Sequence, residues 1–184
     1  MKQKALKVSG DIGIDLGQLT EKQKLFMRSR TLYTAYGGAR GGGKTHAVRW
    51  KAVAGALRYG GLRILIIRRT YPELQQNHIE PIARLVPPAA ASYHITRHTM
   101  YFYNGSVIKF GHYSGSSSEA EYQRQEYDWI FLDEATQFTE REFRFLGSLL
   151  RGVNDFPKRF YLTCNPGGIG HGWVKRLFID RHYV

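Results

Sequence analysis

Leu32-Tyr33-Thr34-Ala35-Tyr36 runs directly into Gly37-Gly38-Ala39-Arg40-Gly41-Gly42-Gly43-Lys44-Thr45. The first five residues are β-prone. Ala47 to Tyr59 after the loop are good helix formers, stopped by Gly60-Gly61. The unit is strand, glycine loop, helix, and Gly38 through Thr45 fits G-x-x-x-x-G-K-[ST] in the context that gives this pattern its meaning. Glycines let the backbone turn its N–H groups onto phosphate oxygens, and the helix N-terminus adds partial positive charge. Gly38, Ala39, Arg40, Gly41, Gly42, Gly43, Lys44 and Thr45 are therefore the expected nucleotide-binding residues. Lys44 is expected to reach the β- and γ-phosphates, and Thr45 to hold Mg²⁺ through its hydroxyl. Arg40, a long cation among glycines, is expected to meet phosphate or a neighbouring carboxylate. His46 reads as a surface or packing histidine.

Outward from the loop, Thr20 with Gln23 forms a capping box ahead of a short helix. Leu62 to Ile67 is apolar except for Arg63, as in a strand buried on both faces of a parallel sheet. Pro72 opens a helix to about Leu85. Tyr101 to Tyr103 and Val107 to Phe110 flank Asn104-Gly105, predicting a β-hairpin near residues 99–111. Ser114 to Ser118 reads as a flexible loop. Thr139 caps a helix to about Leu150, and Phe160 to Thr163 forms a further strand. The alternation predicts an α/β fold with a mostly parallel central sheet flanked by helices.

Trp129-Ile130-Phe131-Leu132-Asp133-Glu134 is an apolar strand ending in two carboxylates. Asp133 is expected to share Mg²⁺ with Thr45, and Glu134, facing elsewhere, to deprotonate the attacking water. An isolated Asp-Glu pair is more often a helix cap, but the phosphate loop upstream overrides that reading. The next strand ends in Thr163-Cys164-Asn165; Thr163 and Asn165 are candidates to sense the γ-phosphate, although an Asn-Pro turn opener explains Asn165 nearly as well.

The chain has 184 residues and a formal net charge of +12, from 27 Lys and Arg against 15 Asp and Glu. It fits one ordinary domain whose basic surface favours a polyanionic partner. The single cysteine, Cys164, forms no internal disulfide. No apolar run approaches membrane-spanning length and Met1 to Gly10 lacks a signal-peptide core, so neither a membrane nor a secreted location is expected.

Together, Gln23, the Gly37 to Thr45 loop with Arg40, Tyr127 to Thr136, and Thr163 to Pro166 resemble the large terminase subunits of tailed bacteriophages. The resemblance spans roughly residues 19 to 175. It implies a P-loop NTPase of the ASCE type, using ATP and Mg²⁺ to drive double-stranded DNA into a capsid in the host cytoplasm. It also implies a homo-oligomeric ring on a portal protein, with a small terminase subunit as partner. Gln23 would read adenine, Thr163, Cys164 and Asn165 would form the coupling motif, and Arg97 or Arg124 would be the arginine reaching a neighbour's γ-phosphate. Residues 1–18 would be an N-terminal arm and 19–184 the ATPase domain. The family's nuclease half is expected to be absent, because Asp180 is the only acidic residue after Thr163, and the ATPase core itself is expected to be truncated. Two alternatives stand beside this reading: a helicase or recombination ATPase, and an inactive nucleotide-binding scaffold.

Overall fold

A computed structural model of the chain describes residues 6–8, 12–14, 17–39 and 41–183. The expected N-terminal arm lies largely outside these; what is described there is an antiparallel pairing of β1 (Leu6–Val8) with β2 (Ile12–Ile14). There follow α1 (Glu21–Arg28), β3 (Tyr33–Gly37), α2 (Lys44–Arg58) and β4 (Arg63–Arg68). A helical stretch comes next, comprising α3 (Tyr71–Leu74), a π turn (Gln75–Ile79) and α4 (Glu80–Leu85). The chain continues through β5 (Ala91–His94), β6 (Thr99–Phe102), β7 (Val107–His112), α5 (Ser116–Tyr122) and β8 (Trp129–Leu132). A 3-10 turn (Ala135–Gln137), α6 (Glu140–Gly147), β9 (Arg159–Cys164) and α7 (His171–Phe178) complete the described residues.

The larger sheet has the order β3-β9-β8-β4-β7-β6-β5. From β3 to β7 all pairings are parallel, and β6 and β5 add an antiparallel extension. The expected hairpin is thus the β6–β7 pair. Strand β9 lies between the glycine-loop strand β3 and the carboxylate strand β8. The two motifs stand two strand spacings apart, roughly 10 Å, which leaves room between them.

Each central strand is buried on both faces, which is why its sequence runs apolar without alternation. Ile64, Ile66, Phe131 and Tyr161 pack under α2 and the 71–85 helical stretch. Leu65, Ile67, Ile130, Leu132 and Phe160 pack with Tyr122, Phe143, Leu146 and Trp173 on the other side. The Trp173 ring stacks on Phe143 at 4.7 Å and its indole N–H donates to the Phe138 carbonyl at 2.8 Å, which ties α7 to the domain.

Residues 116–122 form a helix whose first residues, 116–118, fall within the stretch Ser114 to Ser118 expected to be a flexible loop. Tyr122 anchors it: the ring is buried and its hydroxyl donates to the His112 carbonyl at 3.1 Å. The helix after Thr139 ends at Gly147, three residues before the expected Leu150, where the Ser148 hydroxyl donates back to the Phe145 carbonyl. Strand β5 and helix α7 had no expectation, the first because Ala91-Ser92-Tyr93-His94 barely alternates, the second because its N-cap is Gly170, with no side-chain cap.

Helices α1 and α2 are joined by a buried cation. The Lys51 ammonium donates to the carbonyls of Phe26, Met27 and Ser29 at 2.9, 2.8 and 3.0 Å, satisfying the orphan end of α1, and lies 4.6 Å over the Tyr161 ring. Burial, with Arg159 and Arg30 nearby, pushes its pKa down to about 7. Farther along α2, Gly55 faces Trp129 so closely that a Cβ there would meet the indole at 2.3 Å. Alanine inside a helix ordinarily gains about 1 kcal/mol over glycine. Here we expect the sign to reverse: Gly55→Ala should lower the free energy of unfolding by about 1–3 kcal/mol through overpacking, measurable by urea denaturation.

Candidate functional site

The loop after β3 is shaped by glycine. Gly43 caps α2 at φ +68°, and a Cβ there would lie 2.4 Å from the Gln23 side-chain amide. That amide oxygen accepts the Thr20 N–H at 2.8 Å and its nitrogen donates to the Gly43 carbonyl at 3.0 Å, so the expected capping box also braces the loop. Gln23 is buried and its amide is committed to Thr20 and Gly43, not to the adjoining cavity. Lys44 is folded back, its ammonium donating to the carbonyls of Gly38 and Ala39 at 3.0 and 2.7 Å. Arg40 lies outside the described residues. A cavity of about 410 Å³ opens over the start of α2, lined on one side by Gly41 through Thr45 and on the other by Arg68, Glu73, Glu134, Gln137 and Asn165.

Asp133 stands at the tip of β8 with no solvent exposure. Its carboxylate accepts from Thr45 Oγ1 on α2 at 3.1 Å, Arg68 Nε on β4 at 2.9 Å, His78 Nε2 in the π turn at 2.8 Å and Thr163 Oγ1 on β9 at 2.5 Å. Burial alone would raise its pKa, but the hydrogen bond from His78, the charge of Arg68 and the hydrogen bond from Thr163 hold it well below the ordinary carboxylate range. For His78 burial dominates and lowers the pKa, so the neutral ring donates its Nε2–H while Nδ1 has no partner among the described residues. The π turn supplies the extra residue per turn that swings His78 under the strand tip.

Glu134, expected to face elsewhere than Asp133, lines the cavity, whereas Asp133 is buried behind it. The Glu134 backbone is left-handed (φ 65°, ψ 50°), a conformation costly for a residue with a side chain, and Arg68 spans the pair, touching Asp133 at 2.9 Å and Glu134 at 3.5 Å. Thr163 pins the turn by accepting the Glu134 N–H at 3.0 Å, and Asn165 Nδ2 donates to both Glu134 carboxylate oxygens at 2.8 and 2.7 Å. Asn165 Oδ1 is buried and unpartnered among the described residues. Cys164 is half-buried between these two, its thiol pKa pushed up by burial.

The structure therefore brings Lys44, Thr45, Asp133, Glu134, Thr163 and Asn165 to one rim of the sheet, at the carboxyl ends of parallel strands. Arg97 and Arg124 are exposed and stand apart, Arg97 in the turn before β6, near the sheet's far edge. Half-buried His46 packs on Trp50 with centroids 4.9 Å apart. Two site residues escaped sequence reading. Arg68 carried one legible signal, a charge ending a buried apolar strand; His78 carried none, because its place depends on the π turn. The cavity size and the loop's N–H groups fit a triphosphate. Thr45 and Asp133 offer adjoining hard oxygen ligands suited to Mg²⁺.

A family model described as "Phage terminase large subunit" matches residues 30–183. No curated protein sequence matches the chain. Among solved structures, the large terminase from a thermophilic bacteriophage is 18% identical with a TM-score of 0.75, the match covering 90% of this chain and 43% of that one. The same phage's large terminase in complex with ADP is 17% identical, with a TM-score of 0.71 and coverage of 90% and 43%. The Thermus phage P74-26 large terminase ATPase domain is 19% identical with a TM-score of 0.61, covering 88% of this chain and 69% of that one. The fold is thus that of terminase ATPase domains, which are P-loop NTPases. The chain spans less than half the length of the first of these relatives.

Because His78 is held neutral, with its folded pKa below the ordinary 6.5, the unfolded chain takes up a proton there as pH falls and the folded chain does not. Stability should therefore fall as pH drops from 7 to about 5, while the Asp133 contribution is lost only at more acid pH. His78→Gln, which keeps a donor, should flatten that part of the profile in thermal melts. An unchanged slope would remove His78 from its buried neutral role.

Proposed function

This chain belongs to the phage terminase large subunit family, and from that premise we propose that it is a Mg²⁺-dependent ATPase domain whose hydrolysis drives double-stranded DNA into a viral capsid. What carries the reading is the convergence of the glycine loop with Glu134 across one cavity, with buried Asp133 directly behind it accepting from Thr45 of the loop helix. Lys44 exchanges its two loop carbonyls for the β- and γ-phosphates, and the loop N–H groups cradle phosphate oxygens. Thr45 and Asp133 would hold the metal, which would supply positive charge to offset the negative charge of the phosphates. Glu134 takes the proton of the attacking water, its carboxylate oriented by Asn165 and Arg68. Arg68 and Arg40 add positive charge where negative charge grows.

Thr163, which touches both acidic residues, and Asn165 pass the change at the γ-phosphate to β9. Gln23 fixes the loop and, on exchanging its contact with Gly43, reads adenine. We further infer a homo-oligomeric ring working in the host cytoplasm with a portal protein and a small terminase subunit, and with Arg97 or Arg124 serving a neighbouring subunit. DNA cleavage is not assigned to this chain. Nothing in the fold or the family match favours the helicase-type alternative, and the intact Lys44, Asp133 and Glu134 argue against an inactive scaffold.

Glu134→Gln should retain ATP binding and lose hydrolysis by about 10²–10⁴-fold, the usual weight of a general base. Lys44→Ala should weaken nucleotide binding itself by about 10–100-fold, as expected for lost charged hydrogen bonds. Fluorescent-nucleotide titration and single-turnover phosphate release separate the two effects. Undiminished turnover by Glu134→Gln would remove Glu134 from the role of base.

A further inference from the structure

The amino-terminal end of β4, with β7 and β6 beside it, is covered on one face only, whereas farther along β4 Leu65 and Ile67 are buried on the other face as well. Ile64, Ile108, Phe110, Met100 and Phe102 pack under helices, whereas Arg63, Lys109 and Tyr101 project from the opposite face and remain exposed or half-exposed. There they line a groove of about 640 Å³ that begins at the amino-terminal ends of β4 and β7, the pole of the sheet opposite the nucleotide cavity. Three of its eleven lining residues are cations, Arg63, Arg97 and Lys109, and none is acidic. Thr96, Tyr101 and Gln125 add neutral donors. Val107 is the only aliphatic side chain lining it.

The turn that presents Arg97 is fixed in advance. His98 holds a left-handed backbone (φ 46°), unfavourable for a residue with a side chain. Four contacts enforce it: the Arg97 carbonyl accepts from Lys109 Nζ at 2.7 Å and Thr99 Oγ1 at 2.8 Å, the His98 carbonyl accepts the Phe110 N–H at 2.8 Å, and the His98 ring meets the Tyr71 hydroxyl at 3.3 Å. These contacts fix the backbone from which the exposed Arg97 side chain leaves at the edge of the groove.

We propose that this groove binds the sugar–phosphate backbone of duplex DNA, an assignment that rests on the DNA-translocating reading above and leaves Arg124, of the two candidate arginines, to serve the neighbouring subunit. Arg and Lys interleaved with Thr, Tyr and Gln donors is the composition that meets phosphates. Tyr101, Tyr127 and Val107 lie between these donors, so a protein partner is separated from DNA by the competition arm of the test below.

The test is fluorescence anisotropy of the whole chain with a random-sequence duplex across a salt series. Arg63→Ala/Arg97→Ala should weaken binding at least about tenfold and make the salt slope shallower by about 2, near 0.9 per lost phosphate contact. Arg84→Ala/Arg141→Ala, which removes the same charge from exposed sites elsewhere, should leave both unchanged. ATP binding should be the same in all three proteins, which certifies their folding. Equal losses in both double variants, unaltered binding by the groove variant, or displacement of the duplex by polyglutamate at equal charge would each overturn the assignment. Wild-type protein that hydrolyses ATP yet ignores duplex would overturn the groove and leave the ATPase standing. Groove-dependent DNA binding without hydrolysis would do the reverse.

Discussion

A buried, ionised carboxylate has to be answered by donors on every side, and Asp133 meets that constraint by drawing four separate elements together. Thr45 comes from the glycine-loop helix, Arg68 from the neighbouring strand, His78 from the π turn and Thr163 from the inserted strand β9. Removing a charge from water is costly unless paired and hydrogen-bonded, so these donors cannot drift independently. The same electrostatics that pull the Asp133 pKa down fix the distance between the loop and the carboxylates.

Glu134 is held by a different device. Its left-handed backbone ends the strand and folds its carboxylate toward Arg68 and Asn165, and Thr163 secures the turn through the Glu134 N–H. Thr163 thus contacts both members of the acidic pair from a single hydroxyl. Any shift of β9 must be felt at both, which gives the strand beside the loop a physical route for relaying what happens in the cavity. On the outer side of this turn, Arg69 clamps the Gln137 carbonyl and the Glu142 carboxylate, so the acidic pair is braced from two directions.

Much of this was legible in the sequence because the signals were local. Glycine spacing before Lys44, the continuous apolar runs of β4 and β8, and Asn104-Gly105 in the hairpin each state a backbone requirement in a few residues. Thr20 and Gln23 announced a helix cap, and only the fold revealed that the same amide also braces Gly43. What stayed hidden depends on tertiary packing. His78 sits in a π turn with no sequence mark, Arg68 acquires meaning only when β4 lies beside β8, and the helix at 116–122 forms because Tyr122 finds a buried place, against the turn preference of its serines.

The central claim is spatial, and a crystal structure of the chain with a non-hydrolysable ATP analogue and Mg²⁺ tests it most directly. The account predicts the triphosphate within the Gly41 to Thr45 loop, the metal beside Thr45 and Asp133, and Lys44 released from the carbonyls of Gly38 and Ala39 to meet phosphate. A nucleotide bound elsewhere, or a triphosphate in the loop with Asp133 and Glu134 turned away from it, would contradict the account.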